Sequence, residues 1–174
     1  MPRSAQTVSG QSLSIPDWLL LLPWDTITQV SNDYKLDRKF IGAVCYHESL
    51  GIPSMTRFES TYRYLYFPER YAEALFITEA TETNAQKTSY GLCQIMGAVA
   101  RELGYADHLS RLSEPRLGLD FGCRKMAELK QKYGGELSEM AAAYNSGNVL
   151  RLTSGMYFNQ KYVDAVMGLY RELI

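Results

Sequence analysis

The 174-residue chain is poor in the residues that build covalent or metal-centred sites, with three cysteines and two histidines. Cys45, Cys93 and Cys123 are odd in number and far apart, which excludes a complete disulfide framework and any CxxC zinc or redox motif. His47 and His108 cannot by themselves make a histidine-rich metal site, and no metal or organic cofactor is implied. An excess of one charge is also missing. Eighteen Lys plus Arg against 19 Asp plus Glu leave a net charge of −1, so no global positive field draws the protein to nucleic acid or anionic lipid. The apolar stretch Trp18–Trp24 is far too short to cross a bilayer, and no stable membrane insertion is expected. A secretory leader would need a basic start, a longer apolar run and a small-residue cleavage site, whereas here Arg3 alone precedes a neutral Ser/Gln-containing tail. The expectation is a monomer made in the cytoplasm without a standard leader, with a mobile tail over 1–15 and one domain over 16–174.

What is present is a core: 46% of the residues are hydrophobic, enough for a single domain without disulfides or metal. No sustained period-2 alternation argues for a dominant sheet, so the fold class is mainly α, with room for a small irregular or β segment in 50–88. Asp25 or a neighbour opens a helix carrying Ile27, Val30 and Tyr34. Asp37 reads as the N-cap of a helix from Arg38 to about Ser49 that stops at Gly51-Ile52-Pro53. Further helices are expected from the spacing of Leu92, Ile95, Val99 and Leu103; of Leu119, Cys123, Met126, Lys130 and Tyr133; of Leu137, Met140, Ala141 and Tyr144; and of Tyr162, Val166, Tyr170 and Leu173. Between Gly51 and Thr88 the periodicity is poorer, and a third of the aromatics gather there, among them Phe58, Tyr62, Tyr64, Tyr66 and Tyr71. Aromatic faces stack on sugar rings or fill a core, and some of both is expected.

Glu48 is the most informative residue. It continues the stripe Ile41, Val44, Cys45 at offsets of three and four, placing a carboxylate where a Leu would be expected. Desolvation and the negative end of the helix dipole would both raise its pKa, which suits a general acid. A Glu pairing with a buried Arg is the alternative reading of the same pattern. Gly91 permits a turn and a close approach of backbone to ligand, and Gln94 offers an amide that donates and accepts, against a plain helix start and a surface residue. Tyr144 closes its stripe just before Asn145-Ser146-Gly147, a suitable helix stop.

Glu48-Ser49, then Ser89-Tyr90-Gly91-Leu92-Cys93-Gln94-Ile95-Met96, then Ala142-Ala143-Tyr144-Asn145-Ser146-Gly147, with a weaker match at Tyr162-Val163, resembles in this order the soluble lytic transglycosylase family. The resemblance spans roughly residues 38–170 and implies a goose-type lysozyme-like fold. It departs from the usual pattern at Cys93, where the motif has Met, and in a longer segment between Glu48 and Ser89 that lacks the Gly-Ala pair before Gly91-Leu92.

The resemblance implies cleavage of the β-1,4 bond between N-acetylmuramic acid and N-acetylglucosamine in peptidoglycan glycan strands. Glu48 would be the one catalytic acid and base. Substrate contacts would come from Ser49, Ser89, Tyr90, Gly91, Gln94, Met96, Tyr144, Asn145 and Tyr162. A 1,6-anhydro end would form without water. A hydrolytic lysozyme of the same fold would need a water-holding carboxylate, for which Glu59, Glu69, Glu73, Glu79 and Glu82 are candidates; Arg57 beside Glu59 reads as a structural partner or as a contact for a lactyl or peptide carboxylate. A non-catalytic wall-binding or virion protein is the reading of another class. Three unpaired thiols and no leader suit a bacteriophage endolysin or virion component acting on the wall.

Overall fold

The computed structural model describes residues 7–8, 11–12 and 17–173, so the expected mobile tail over 1–15 lies mostly outside the described residues. Within it, β1 (Thr7–Val8) pairs antiparallel with β2 (Gln11–Ser12). The apolar stretch that follows forms a 3-10 turn, Asp17–Leu21, in which Trp18 is buried, and Leu22 directly after it is buried as well. Helix α1 (Trp24–Asp33) buries Ile27 and Val30. Helix α2 (Arg38–Ser49) starts where its cap predicts, the Asp37 side chain accepting from the Lys39 amide at 2.8 Å. It ends with Leu50 in the left-handed region at φ 53°.

The segment after α2 contains more regular structure than its weak periodicity suggests. Strand β3 (Thr56–Phe58) is followed by α3 (Pro68–Leu75) and α4 (Glu79–Gln86), and β4 (Thr88–Tyr90) then pairs antiparallel with both β3 and β5 (Ile95–Met96). The expected β segment is therefore there. A helix starting at Leu92 is not: residues 91–94 form a tight turn, and α5 begins only at Gly97 and runs to Glu102. Two left-handed residues, Gly91 at φ 72° and Gln94 at φ 47°, turn the chain there and forbid a continuous helix.

Helix α6 (Pro115–Tyr133) packs against α1 and α7 (Leu137–Ser146), while α8 (Gln160–Glu172) packs on α2 and α7. The main core lies among them, formed by Phe40, Ile41, Val44, Leu119, Met126, Met140 and Val166. A second cluster, including Tyr90, Ile95, Leu109, Leu112 and Phe121, seats the small sheet on α6. The result is a mainly α, lysozyme-like fold in which α2, α7, α8 and the β4–β5 hairpin converge. Among the described residues no helix is long and apolar enough to cross a membrane.

Candidate active site

Helix α2 carries Glu48 out of the core. Ile41, Val44 and Cys45 are buried, and one turn later the same stripe reaches the wall of a cleft, where Glu48 is partly buried. Opposite, α8 brings the Tyr162 hydroxyl to donate to Glu48 Oε1 at 2.6 Å. His47 packs edge-on against the Tyr162 ring, centroids 4.8 Å apart, and so backs the donor. Burial raises the Glu48 carboxyl above its ordinary pKa; the Tyr162 hydrogen bond and the positive charge of Arg57 pull it part of the way back. Glu48 does not pair with a buried arginine among the described residues: the charge it senses is Arg57, across the cleft.

The β4–β5 hairpin supplies a second wall. Gln94 is buried, contrary to its reading as a surface residue, and its amide is occupied. Nε2 donates to the carbonyls of Met55 at 2.9 Å and Gly91 at 3.0 Å, and Oε1 accepts from the Ser89 hydroxyl at 2.8 Å. Both amide hydrogens are spent within the protein, so Gln94 presents to the cleft a rigid edge whose remaining hydrogen-bonding capacity is as an acceptor. Met96 lines the cleft beside it. Gly91 has a stricter role: a Cβ there would come within 2.5 Å of the Leu112 carbonyl oxygen. Ser89 and Tyr90 are buried, Tyr90 bonding the Ala85 carbonyl at 3.0 Å, and Ser49 bonds back to the Cys45 carbonyl at 2.9 Å. These three do not line the cleft, and they support its walls from behind.

Helix α7 closes the floor. The Tyr144 hydroxyl donates to the Cys93 carbonyl at 2.7 Å, tying α7 to the hairpin turn, and burial pushes its phenol well above its ordinary pKa. Asn145 is exposed in the cleft, its Oδ1 accepting from Asn159 at 2.9 Å.

The third wall comes from the aromatic-rich segment. Arg57, Glu59, Thr61 and Tyr62 line the same cleft of about 330 Å³ as Glu48. Arg57 and Glu59 form an ion pair at 2.5 Å. Of the five carboxylates considered from this segment, Glu59 is the one that reaches the cleft; Glu82 is buried in an ion pair with Arg101 at 2.8 Å. A second lobe of about 280 Å³ shares Tyr62, Gln94, Met96, Tyr144 and Asn145 and continues past Tyr64 to Lys125. The aromatics thus divide: Tyr62 and Tyr64 face the cleft, while the Tyr71 ring covers the Arg101 guanidinium at 4.3 Å. The cleft roles of Thr61 and Lys125 have no sequence signal of their own, since strand pairing and the position of α6 alone bring them there.

An elongated groove with a raised-pKa carboxyl, a hydroxyl 2.6 Å from it and aromatic edges along its length is equipped for proton transfer to a saccharide oxygen. No group of three His, Cys, Asp or Glu side chains that could hold a metal ion occurs among the described residues. Residues 25–161 match the family model of the transglycosylase SLT domain. Comparison with curated proteins and with solved structures found no match.

Proposed function

The chain belongs to the transglycosylase SLT domain family, a peptidoglycan-degrading family, and on that premise we propose that it cleaves the N-acetylmuramic acid to N-acetylglucosamine β-1,4 bond with Glu48 as sole acid and base. The observation that carries this reading is Glu48 itself, its carboxyl raised by burial and bonded by Tyr162 in a cleft whose two lobes share Tyr62, Gln94, Met96, Tyr144 and Asn145. Protonated Glu48 gives its proton to the departing glycosidic oxygen. The N-acetyl group of the muramic acid residue stabilises the charge developing at the anomeric carbon. Glu48, now a carboxylate, takes the proton of that sugar's 6-hydroxyl, and the oxygen closes a 1,6-anhydro ring. Tyr162 stabilises the carboxylate that exists between the two proton transfers.

Glu59 supports a second reading. A second carboxylate in the same cleft is what a hydrolytic lysozyme uses to position water, and here its pairing with Arg57 competes with that task. Mass spectrometry of fragments released from purified peptidoglycan separates the two. Anhydro products, one water lighter than hydrolytic muropeptides and absent with Glu48→Gln, are expected. Reducing ends lost in Glu59→Gln would establish hydrolysis instead.

A further inference from the structure

Cys45 and Cys93 lie 48 positions apart in sequence, yet the fold sets their sulfurs 3.5 Å apart. Both are buried and free. Cys45 sits on α2 one turn before Glu48, and Cys93 lies in the hairpin turn directly before Gln94. The third thiol, Cys123, belongs to α6, whose Gly122 leaves the space that the Cys93 side chain fills: a Cβ at 122 would stand 2.6 Å from the Cys93 sulfur. A bonded pair of sulfurs is about 2.05 Å apart, so these two must approach each other by about 1.5 Å to bond.

We propose that Cys45 and Cys93 are a disulfide-forming pair, reduced where the chain is synthesised and oxidised where it works, stapling the Glu48 helix to the Gln94 turn. The proposal rests on the peptidoglycan reading for one point, that the substrate lies outside the reducing cytoplasm, where disulfides form and persist. In the reaction each thiol loses its hydrogen, one S–S bond forms between them, and the two electrons and two protons pass to a disulfide oxidant, which becomes two thiols. The hydrogen bond from Cys45, and after it burial, hold the Cys93 thiol well above its ordinary pKa, which disfavours the reactive thiolate in the folded protein.

The test is refolding of the full chain in a glutathione redox buffer, followed by alkylation of free thiols, non-reducing peptide mass mapping and thermal melting beside a dithiothreitol-treated sample. The expected result is a Cys45–Cys93 cross-linked peptide, an alkylated Cys123, and a Tm higher than that of the reduced protein by about 5–15 °C. Cys123→Ser keeps the cross-link, and Cys45→Ser melts at one temperature under both conditions. Three alkylated thiols after oxidative refolding, or a Cys93–Cys123 link, would overturn the proposal. Because the readout is mass and melting, it stands or falls separately from the cleavage assay.

Discussion

Glu48 is held between two opposing influences, burial that favours its neutral form and a hydroxyl that favours its ionised one, and burial prevails. Its folded pKa lies above the unfolded value, so the native state binds this proton more tightly. The stability it contributes is complete below the unfolded pKa, about 4.3, and is lost as pH rises through the folded pKa. Glu48→Gln is therefore expected to lower glycan cleavage by about 10²–10⁴-fold while raising Tm at pH 7, with the gain vanishing near pH 4; melting curves at the two pH values test this. Tyr162→Phe removes the bond that stabilises the carboxylate, so the Glu48 pKa rises further. The alkaline limb of the pH–rate profile should then move to higher pH, and an unmoved limb would break the assigned coupling. The cleft position of Glu48 was legible because a charge interrupted an apolar stripe. The work of Gln94 was not, since its partners, Met55 and Ser89, come from separate strands and loops and its backbone is left-handed.

Elements were legible where sequence carries both a cap and a period. Asp37 announced α2, and Gly147, left-handed at φ 80°, ended α7 where the Asn-Ser-Gly stop predicts. The failures have physical causes. Helices α3 and α4 are eight residues each, and α4 buries only Glu82 and Gln86, both polar, so no apolar stripe marks it. The helix expected from Leu92 fails because the apolar spacing persists through a β-turn whose geometry is set by Gly91. That residue supplies the sharpest test at this scale. Gly91→Ala demands a left-handed alanine and a Cβ 2.5 Å from the Leu112 carbonyl oxygen. The expected cost is about 2–4 kcal/mol in urea denaturation, combining backbone strain with overpacking. A loss below the error of the measurement would mean that the turn relaxes freely.

Across the whole molecule, the problem is how the long segment between α2 and the hairpin keeps a cleft wall in place. The solution is a buried polar chain. Arg101 on α5 bonds Glu82 of α4 through both Nε at 2.8 Å and Nη2 at 2.9 Å, while its Nη1 donates to the carbonyls of Tyr105 and Asp107. Glu82 also accepts from Gln86, which exchanges two hydrogen bonds with the Tyr66 backbone, at 2.7 and 3.0 Å. The loop bearing Tyr62 and Tyr64 is thereby anchored to the core through partners that are almost fully buried. Such a network stabilises only while every member is satisfied, because a lone carboxylate left in the interior has no water to return to. Arg101→Met fills the volume but strands Glu82, and should cost about 3–5 kcal/mol. Arg101→Met combined with Glu82→Leu removes the stranded charge and should recover most of that loss. If the network also positions the cleft wall, the double variant will fold yet bind glycan fragments more weakly, because the loop is then held by apolar contact alone; stability regained with undiminished binding would show that the aromatic wall needs no polar anchor.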